Sequence, residues 1–264
     1  MSIRFSKKSS VLVFGAHPDD AVRSNAGVIL RAMQVGAKVA IVKATDGAAL
    51  GGPEFIPQGR RRGETRKREE LSALRVLGFE RKDLCLLGFP DGGLEAVRFD
   101  YFNRTGLPYL DPWLASDRTF GRDTFKKGVR FFGADLLALI ARVVAKTRPT
   151  HVFTHCSRDR HPDHRAITWF VKEALAARGL EPEIYEYLTY HTRCQKPKWP
   201  PNPGERISRA AAAKLKLPGR LVDFPLSPAE ACVKDVAIDQ FLPVLGAAYF
   251  KPWRRTNEVF WRTG

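Results

Sequence analysis

The chain has 264 residues, 44% of them hydrophobic, and a formal net charge of +16. That length suits one large α/β domain or two small ones, with the apolar content of a globular protein that has a full-sized core. No apolar run approaches the roughly 20 residues that cross a bilayer. The apolar run behind Arg4, Lys7 and Lys8 is only about six residues long, too short for the core of a signal peptide.

The elements read in chain order as follows. Val11-Leu12-Val13-Phe14 lies in a buried strand over 10–15. Val22, Ala26, Ile29, Leu30 and Met33 recur near helical spacing, which predicts a helix over 21–33 that Gly36 ends. Lys38-Val39-Ala40-Ile41-Val42 is a second strand, completing a βαβ unit with a right-handed crossover. Residues 46–59 are rich in Gly and Pro and read as a loop, and a helix over 61–77 follows with Gly78 as its stop. A short strand over 84–87 ends in the turn Phe89-Pro90-Asp91-Gly92-Gly93. Residues 96–132 are aromatic and glycine-rich without periodicity, as in an inserted loop or lid. A helix over 136–146, a strand at His151-Val152-Phe153-Thr154, a helix over 166–177 and a strand over 184–187 make a second βαβ unit. The prolines 197, 200, 201 and 203 mark a surface loop, and 228–248 reads as one C-terminal helix. No solenoid-type repeat is present.

The basic charge is concentrated in runs, Arg60-Arg61-Arg62, Arg66-Lys67-Arg68, Lys126-Lys127 and Arg254-Arg255. It favours anionic partners in general and does not by itself choose among nucleic acid, acidic membrane and phosphorylated substrate. Cys85, Cys156, Cys194 and Cys232 are widely spaced with no CxxC pair, so neither a disulfide framework nor a structural zinc knot is expected. Cys156 is better read as a small buried residue than as a nucleophile.

Two clusters carry the chemistry: His17-Pro18-Asp19-Asp20 and His161-Pro162-Asp163-His164. Each follows a buried strand, and in an open α/β sheet the loops after parallel strands open onto the edge where ligands bind. Both clusters place two potential ligands three residues apart at a strand-to-helix junction, so they could converge on one divalent metal with an open position. An isolated Asp here would be an ordinary helix cap. His151 and His155, on the strand before the second cluster, read as structural or supporting residues.

Ala16-His17-Pro18-Asp19-Asp20, Thr45-Asp46-Gly47, Arg66…Glu69…Leu77-Gly78, Asp91-Gly92 and His161-Pro162-Asp163-His164 occur in the order seen in the PIG-L/LmbE-like deacetylases, and the sequence resembles that family. Ser227-Pro228, Lys234, Ala237-Ile238 and Glu258 resemble its C-terminal part. The resemblance implies a single domain over 1–264, with a Rossmann-like core over about 9–190 and a segment over about 191–264 packed on it. The fold it implies is a mostly parallel sheet with helices on both faces. It implies a zinc-dependent hydrolase that removes the N-acetyl group from an N-acetylglucosamine-type conjugate. His17, Asp20 and His164 would bind Zn2+, or another divalent metal such as Fe2+. Asp19 matches the general base, and His161 the group that stabilises the oxyanion or protonates the leaving amine. Asp163 would orient and tune an active-site histidine, and Arg66 and Asp91 would contact sugar hydroxyls.

The partner expected is therefore an N-acetylated sugar conjugate, phosphate-bearing or lipid-linked in keeping with the basic charge, and the location cytoplasmic or peripheral to a membrane. The competing reading is a basic Rossmann-like protein that binds nucleotides or nucleic acid without catalysis. Phe14-Gly15-Ala16-His17 is a poor glycine fingerprint and no nucleic-acid module is visible, so nucleic acid is not expected. The sequence departs from the family just after Asp20: Ala21-Val22-Arg23 stands where an acidic residue is usual.

Overall fold

The computed structural model describes residues 3–49, 59–121, 123–191, 199 and 206–264. Most of the predicted 46–59 loop, the proline segment near 194–205 and Cys194 lie outside the described residues. In chain order the elements are β1 (Ser10–Gly15), α1 (Asp20–Gln34), β2 (Lys38–Thr45), α2 (Arg60–Val76), β3 (Leu84–Phe89), α3 (Leu94–Phe99), α4 (Gly133–Thr147), β4 (His151–His155), α5 (Pro162–Ala176) and β5 (Glu183–Tyr187). There follow α6 (Arg209–Ala213), β6 (Arg220–Pro225), α7 (Pro228–Asp239), α8 (Leu242–Leu245), α9 (Ala247–Phe250) and β7 (Asn257–Arg262).

The strands form one sheet of seven in the order β3-β2-β1-β4-β5-β7-β6. The first five are parallel, while β7 pairs antiparallel with both β5 and β6. Alternate residues of β1 serve opposite faces, as the two-residue period of a strand requires. Val11 and Val13 pack into one cluster with α1, α2 and α7, while Leu12 and Phe14 pack into another with α3, α4 and α5. Helices therefore cover both faces of an α/β sheet that is mostly parallel.

Two parts of the chain differ from the sequence-based expectation. The single helix over 228–248 is broken: α7 stops at Asp239 and two short helices follow. Pro243 has no N–H to extend the helix and its ring conflicts with the carbonyl four residues earlier, and Gly246 turns the chain at φ +77°. The C-terminal segment also supplies β6 and β7, which extend the sheet itself. The 96–132 segment begins inside α3 and then runs without regular structure, held by isolated bridges such as Asp111 with Ser116 and Arg118 with Arg130. It buries Phe131 against the second core face, and Phe132 is buried as well. Gly133 closes it, where a Cβ would lie 2.6 Å from the Val97 carbonyl oxygen.

The sheet order places the site. Leaving β1, the chain moves through β2 to β3 on one side, and β4 and β5 lie on the other, so the topology reverses between β1 and β4. Such a switch point is where α/β sheets bind ligands. The loops carrying the two clusters leave these two neighbouring strands, whose register pairs Val11 with His151 and Val13 with Phe153.

Candidate active site

The two clusters meet. His17 Nδ1 lies 3.1 Å from His164 Nε2 and 3.4 Å from Asp20 Oδ2, and His164 Nε2 lies 3.6 Å from the same oxygen. Zinc bonds of about 2.0–2.1 Å in tetrahedral arrangement separate neighbouring donor atoms by about 3.3 Å. The three atoms fit that requirement.

The opposite nitrogen of each histidine faces a carboxylate. His17 Nε2 is 3.1 Å from Asp91 Oδ1 and 3.3 Å from Asp163 Oδ2, and His164 Nδ1 is 3.1 Å from Asp159 Oδ1. Metal-binding histidines are oriented by such partners. Within the compass of the site lie five aspartates, Asp19, Asp20, Asp91, Asp159 and Asp163, against two arginines, Arg23 and Arg66, all of them buried. In a chain with net charge +16 this local excess of acid suits a bound cation. Further overlapping sets of possible ligands draw in His161, His155, Asp91 and Asp163.

Asp19 stands beside this group without joining it. It precedes α1, yet its side chain makes no capping hydrogen bond. Its oxygens face two guanidinium groups: Oδ1 is 3.0 Å from Arg66 Nη2 and Oδ2 is 3.0 Å from Arg23 Nη1. Arg66 comes from α2 and reaches Asp91 Oδ2 at 3.3 Å with its other nitrogen. That nitrogen also donates to the Gly47 carbonyl at 3.3 Å. Gly47 fits there at φ +76° because a Cβ would lie 2.9 Å from Pro18 Cγ.

His161 caps α5, its Nδ1 accepting the Asp163 N–H at 3.2 Å, and its ring lies 4.6 Å from that of His17 and 4.7 Å from that of His164. The Asp163 carboxylate turns away from the His161 ring. It accepts the N–H groups of Gly92 at 2.7 Å and Leu94 at 3.0 Å, tying the second cluster to the turn after β3, and the histidine it touches is His17.

Burial alone would lower the pKa of His17, but Asp91, Asp163 and Asp20 outweigh it and hold it well above the imidazole range. Positive charge is favoured at that position. Burial and the neighbouring His155 push His164 well down, leaving a neutral imidazole. Burial and the charge on His17 push His161 down to about 4. With Nδ1 accepting a main-chain N–H, the proton of neutral His161 sits on Nε2.

Three participants were not identified from sequence. Asp159 lies two residues ahead of His161, in Arg158-Asp159-Arg160-His161, and also accepts the N–H groups of His161, Thr189 and Tyr190. His155, read as supporting, touches Asp20 Oδ2 at 3.1 Å. Arg23 lies against both Asp19 and Asp20. Cys156 is buried, with its thiol pushed up by that burial, and makes a poor nucleophile.

A family model described as PIG-L, GlcNAc-PI de-N-acetylase, matches residues 12–175, which is more than half of the chain and includes both clusters. The chain belongs to the PIG-L family. Solved structures share the fold of this PIG-L family member at low identity. The A40926 pseudoaglycone deacetylase Dbv21 is 19% identical with a TM-score of 0.61, over 97% of each chain. A zinc-inhibited form of the teicoplanin deacetylase Orf2 is 18% identical with a TM-score of 0.56, over 95% of this chain and 96% of that one. The 4-carboxy-2-hydroxymuconate hydratase GalB of Pseudomonas putida is 16% identical with a TM-score of 0.54, over 93% of this chain and 82% of that one. The fold thus accompanies more than one activity, and the site must decide which. No helix among the described residues is long and apolar enough to cross a membrane.

Proposed function

We propose that this PIG-L family member is a zinc-dependent N-deacetylase of N-acetylated amino sugars, acting on an N-acetylglucosamine-type conjugate. The observation that carries the reading is the meeting of His17 Nδ1, Asp20 Oδ2 and His164 Nε2 within 3.6 Å, with a carboxylate behind each imidazole. These three residues would hold the metal. A divalent ion there supplies a Lewis acid and lowers the pKa of water toward about 7.

Asp19 is the general base. It lies next to the ligand set, Arg66 holds its Oδ1 by a hydrogen bond, and its Oδ2, 3.0 Å from Arg23, receives no hydrogen bond, so it can take the proton of the attacking water and return it to the departing amine nitrogen. His161 serves the oxyanion. As a neutral imidazole with its proton on Nε2, it is a hydrogen-bond donor that needs no prior protonation, which favours this role over general acid. Asp163 keeps His17 in the tautomer whose Nδ1 is free for the metal. Arg66 and Asp91, paired at 3.3 Å, would meet the sugar hydroxyls.

A phosphate on the conjugate would suit Arg60, Lys67 and Arg68, which line a cavity of about 750 Å3 bordered by Thr45 and Asp46. Turnover of such a substrate should weaken with ionic strength and on neutralising Arg60 and Arg68.

The reading is tested by acetate release from a panel of N-acetylhexosamine conjugates. Wild-type activity should vanish with chelator and return with Zn2+, and Asp19→Ala should lose about 100-fold or more. Full activity in Asp19→Ala would overturn the assigned chemistry.

A further inference from the structure

The unusual residues after Asp20 have a specific structural outcome. Arg23, one turn into α1, is 1% exposed and turns back over the start of its own helix. Nη2 reaches Asp20 Oδ1 at 2.5 Å while Nη1 reaches Asp19 Oδ2 at 3.0 Å, so one guanidinium spans both aspartates. The group is held from the other side. Nη1 donates to the hydroxyls of Tyr249 at 2.8 Å and Tyr190 at 3.2 Å, and these hydroxyls bond to each other. The Trp253 ring lies beneath it at 4.8 Å. Tyr249 and Trp253 come from the C-terminal segment and Tyr190 from the loop after β5, so two distant parts of the chain and the start of its own helix enclose one cation.

The consequence falls on Asp20. Its two oxygens face different environments: Oδ2 accepts the His17 N–H at 2.7 Å and looks toward His155 and His164, while Oδ1 is occupied by Arg23. A carboxylate can offer a divalent ion one oxygen or two. A charge-assisted bond from a fixed guanidinium fork removes one of them from use. Arg23 also puts a full positive charge next to a site that would hold another.

We propose that Arg23 is a positioning residue that restricts Asp20 to a single donor oxygen, weakening metal binding in order to leave a coordination position for water and substrate, while fixing Asp19. This rests on the metal-site reading above. Arg23 acts through Asp19 and Asp20, and lysine cannot replace it, because an ammonium lacks the planar fork that reaches both carboxylates.

The sign of the effect separates this from a merely structural role. Loosening the helix start would weaken metal binding, whereas removing a positioning cation should tighten it. The test is Co2+ titration of metal-free wild type, Arg23→Met and Arg23→Lys, read by visible absorption, with acetate release measured in parallel and folding followed by circular dichroism. Arg23→Met should bind Co2+ about tenfold or more tightly than wild type, by loss of the opposing charge, with a shifted spectrum and deacetylation lowered at least about tenfold. Arg23→Lys retains the charge but releases Oδ1, so its affinity should rise by less than that of Arg23→Met while its spectrum shifts. Unchanged or weaker Co2+ binding in folded Arg23→Met overturns the proposal. If that variant does not fold, Arg23→Lys decides, and a wild-type spectrum overturns it. Wild type that binds no Co2+ overturns both this proposal and the metal-site reading. Wild type that binds Co2+ but releases no acetate removes only the deacetylase reading, and the affinity comparison still stands.

Discussion

Asp159→Asn is a nearly isosteric change whose cost follows from counting donors. The Asp159 carboxylate is 1% exposed and surrounded by donors alone. Oδ1 receives the His161 N–H at 2.9 Å and faces His164 Nδ1 at 3.1 Å. Oδ2 receives the N–H groups of Thr189 at 2.7 Å and Tyr190 at 3.0 Å. An asparagine has one acceptor oxygen and one NH2 group, so the NH2 is set against the Thr189 and Tyr190 N–H groups in one orientation and against the His161 N–H in the other. One or two donors left unsatisfied at about 1–3 kcal/mol each give about 1–6 kcal/mol of lost stability. That is a large share of the 5–15 kcal/mol typical of a folded domain. Urea unfolding of the metal-free protein should show the loss as a lower midpoint at unchanged slope. Zn2+ affinity should fall about 10–100-fold, because His164 loses the partner that orients it. Burial opposes ionisation of Asp159, but His164 and the surrounding hydrogen bonds hold its pKa below the usual value. Its contribution is therefore present above an unfolded pKa of about 3.9 and is lost as pH falls through the folded value, so wild type and variant should converge in acid. A stability change under about 0.5 kcal/mol at pH 7, with unchanged metal affinity, would refute the reasoning.

Other expectations follow from single residues. Burial pushes Glu69 up to about 7, against a hydrogen bond from the Val244 N–H and the charge of Arg66. Its folded pKa exceeds its unfolded one, so its contribution is full below about 4.5 and is lost as pH rises through 7. Going from pH 8 to pH 5, wild type should gain about 2 kcal/mol relative to Glu69→Gln in urea unfolding, and parallel pH curves would contradict this. His161→Phe should lower kcat about 100–1000-fold with zinc content by elemental analysis unchanged. A proportional loss of zinc would instead make His161 a ligand. Cys156 should resist iodoacetamide at pH 8 in the folded protein, as mapped by mass spectrometry. Rapid alkylation there would show that its burial has been misjudged.

The paired HxDD and HxDH clusters, each behind a buried strand, pointed to metal chemistry by themselves, because metal ligation depends on residue types that apolar packing does not select. The apolar run of β1 and the helical spacing in α1 were equally legible, since such patterns record which positions are buried. Other features depended on partners far away in sequence. β6 and β7 lie on the far side of the sheet and depend on pairing with each other and, through β7, with β5, partners that their local sequence does not specify. That Asp163 serves His17 rather than His161 was decided by the N–H groups of Gly92 and Leu94, which take its carboxylate. Arg23 reads in sequence as an ordinary helical arginine. Only the tertiary structure brings Tyr190, Tyr249 and Trp253 around it and turns its charge onto Asp19 and Asp20, because a buried cation is tolerable only where acids and aromatic faces enclose it.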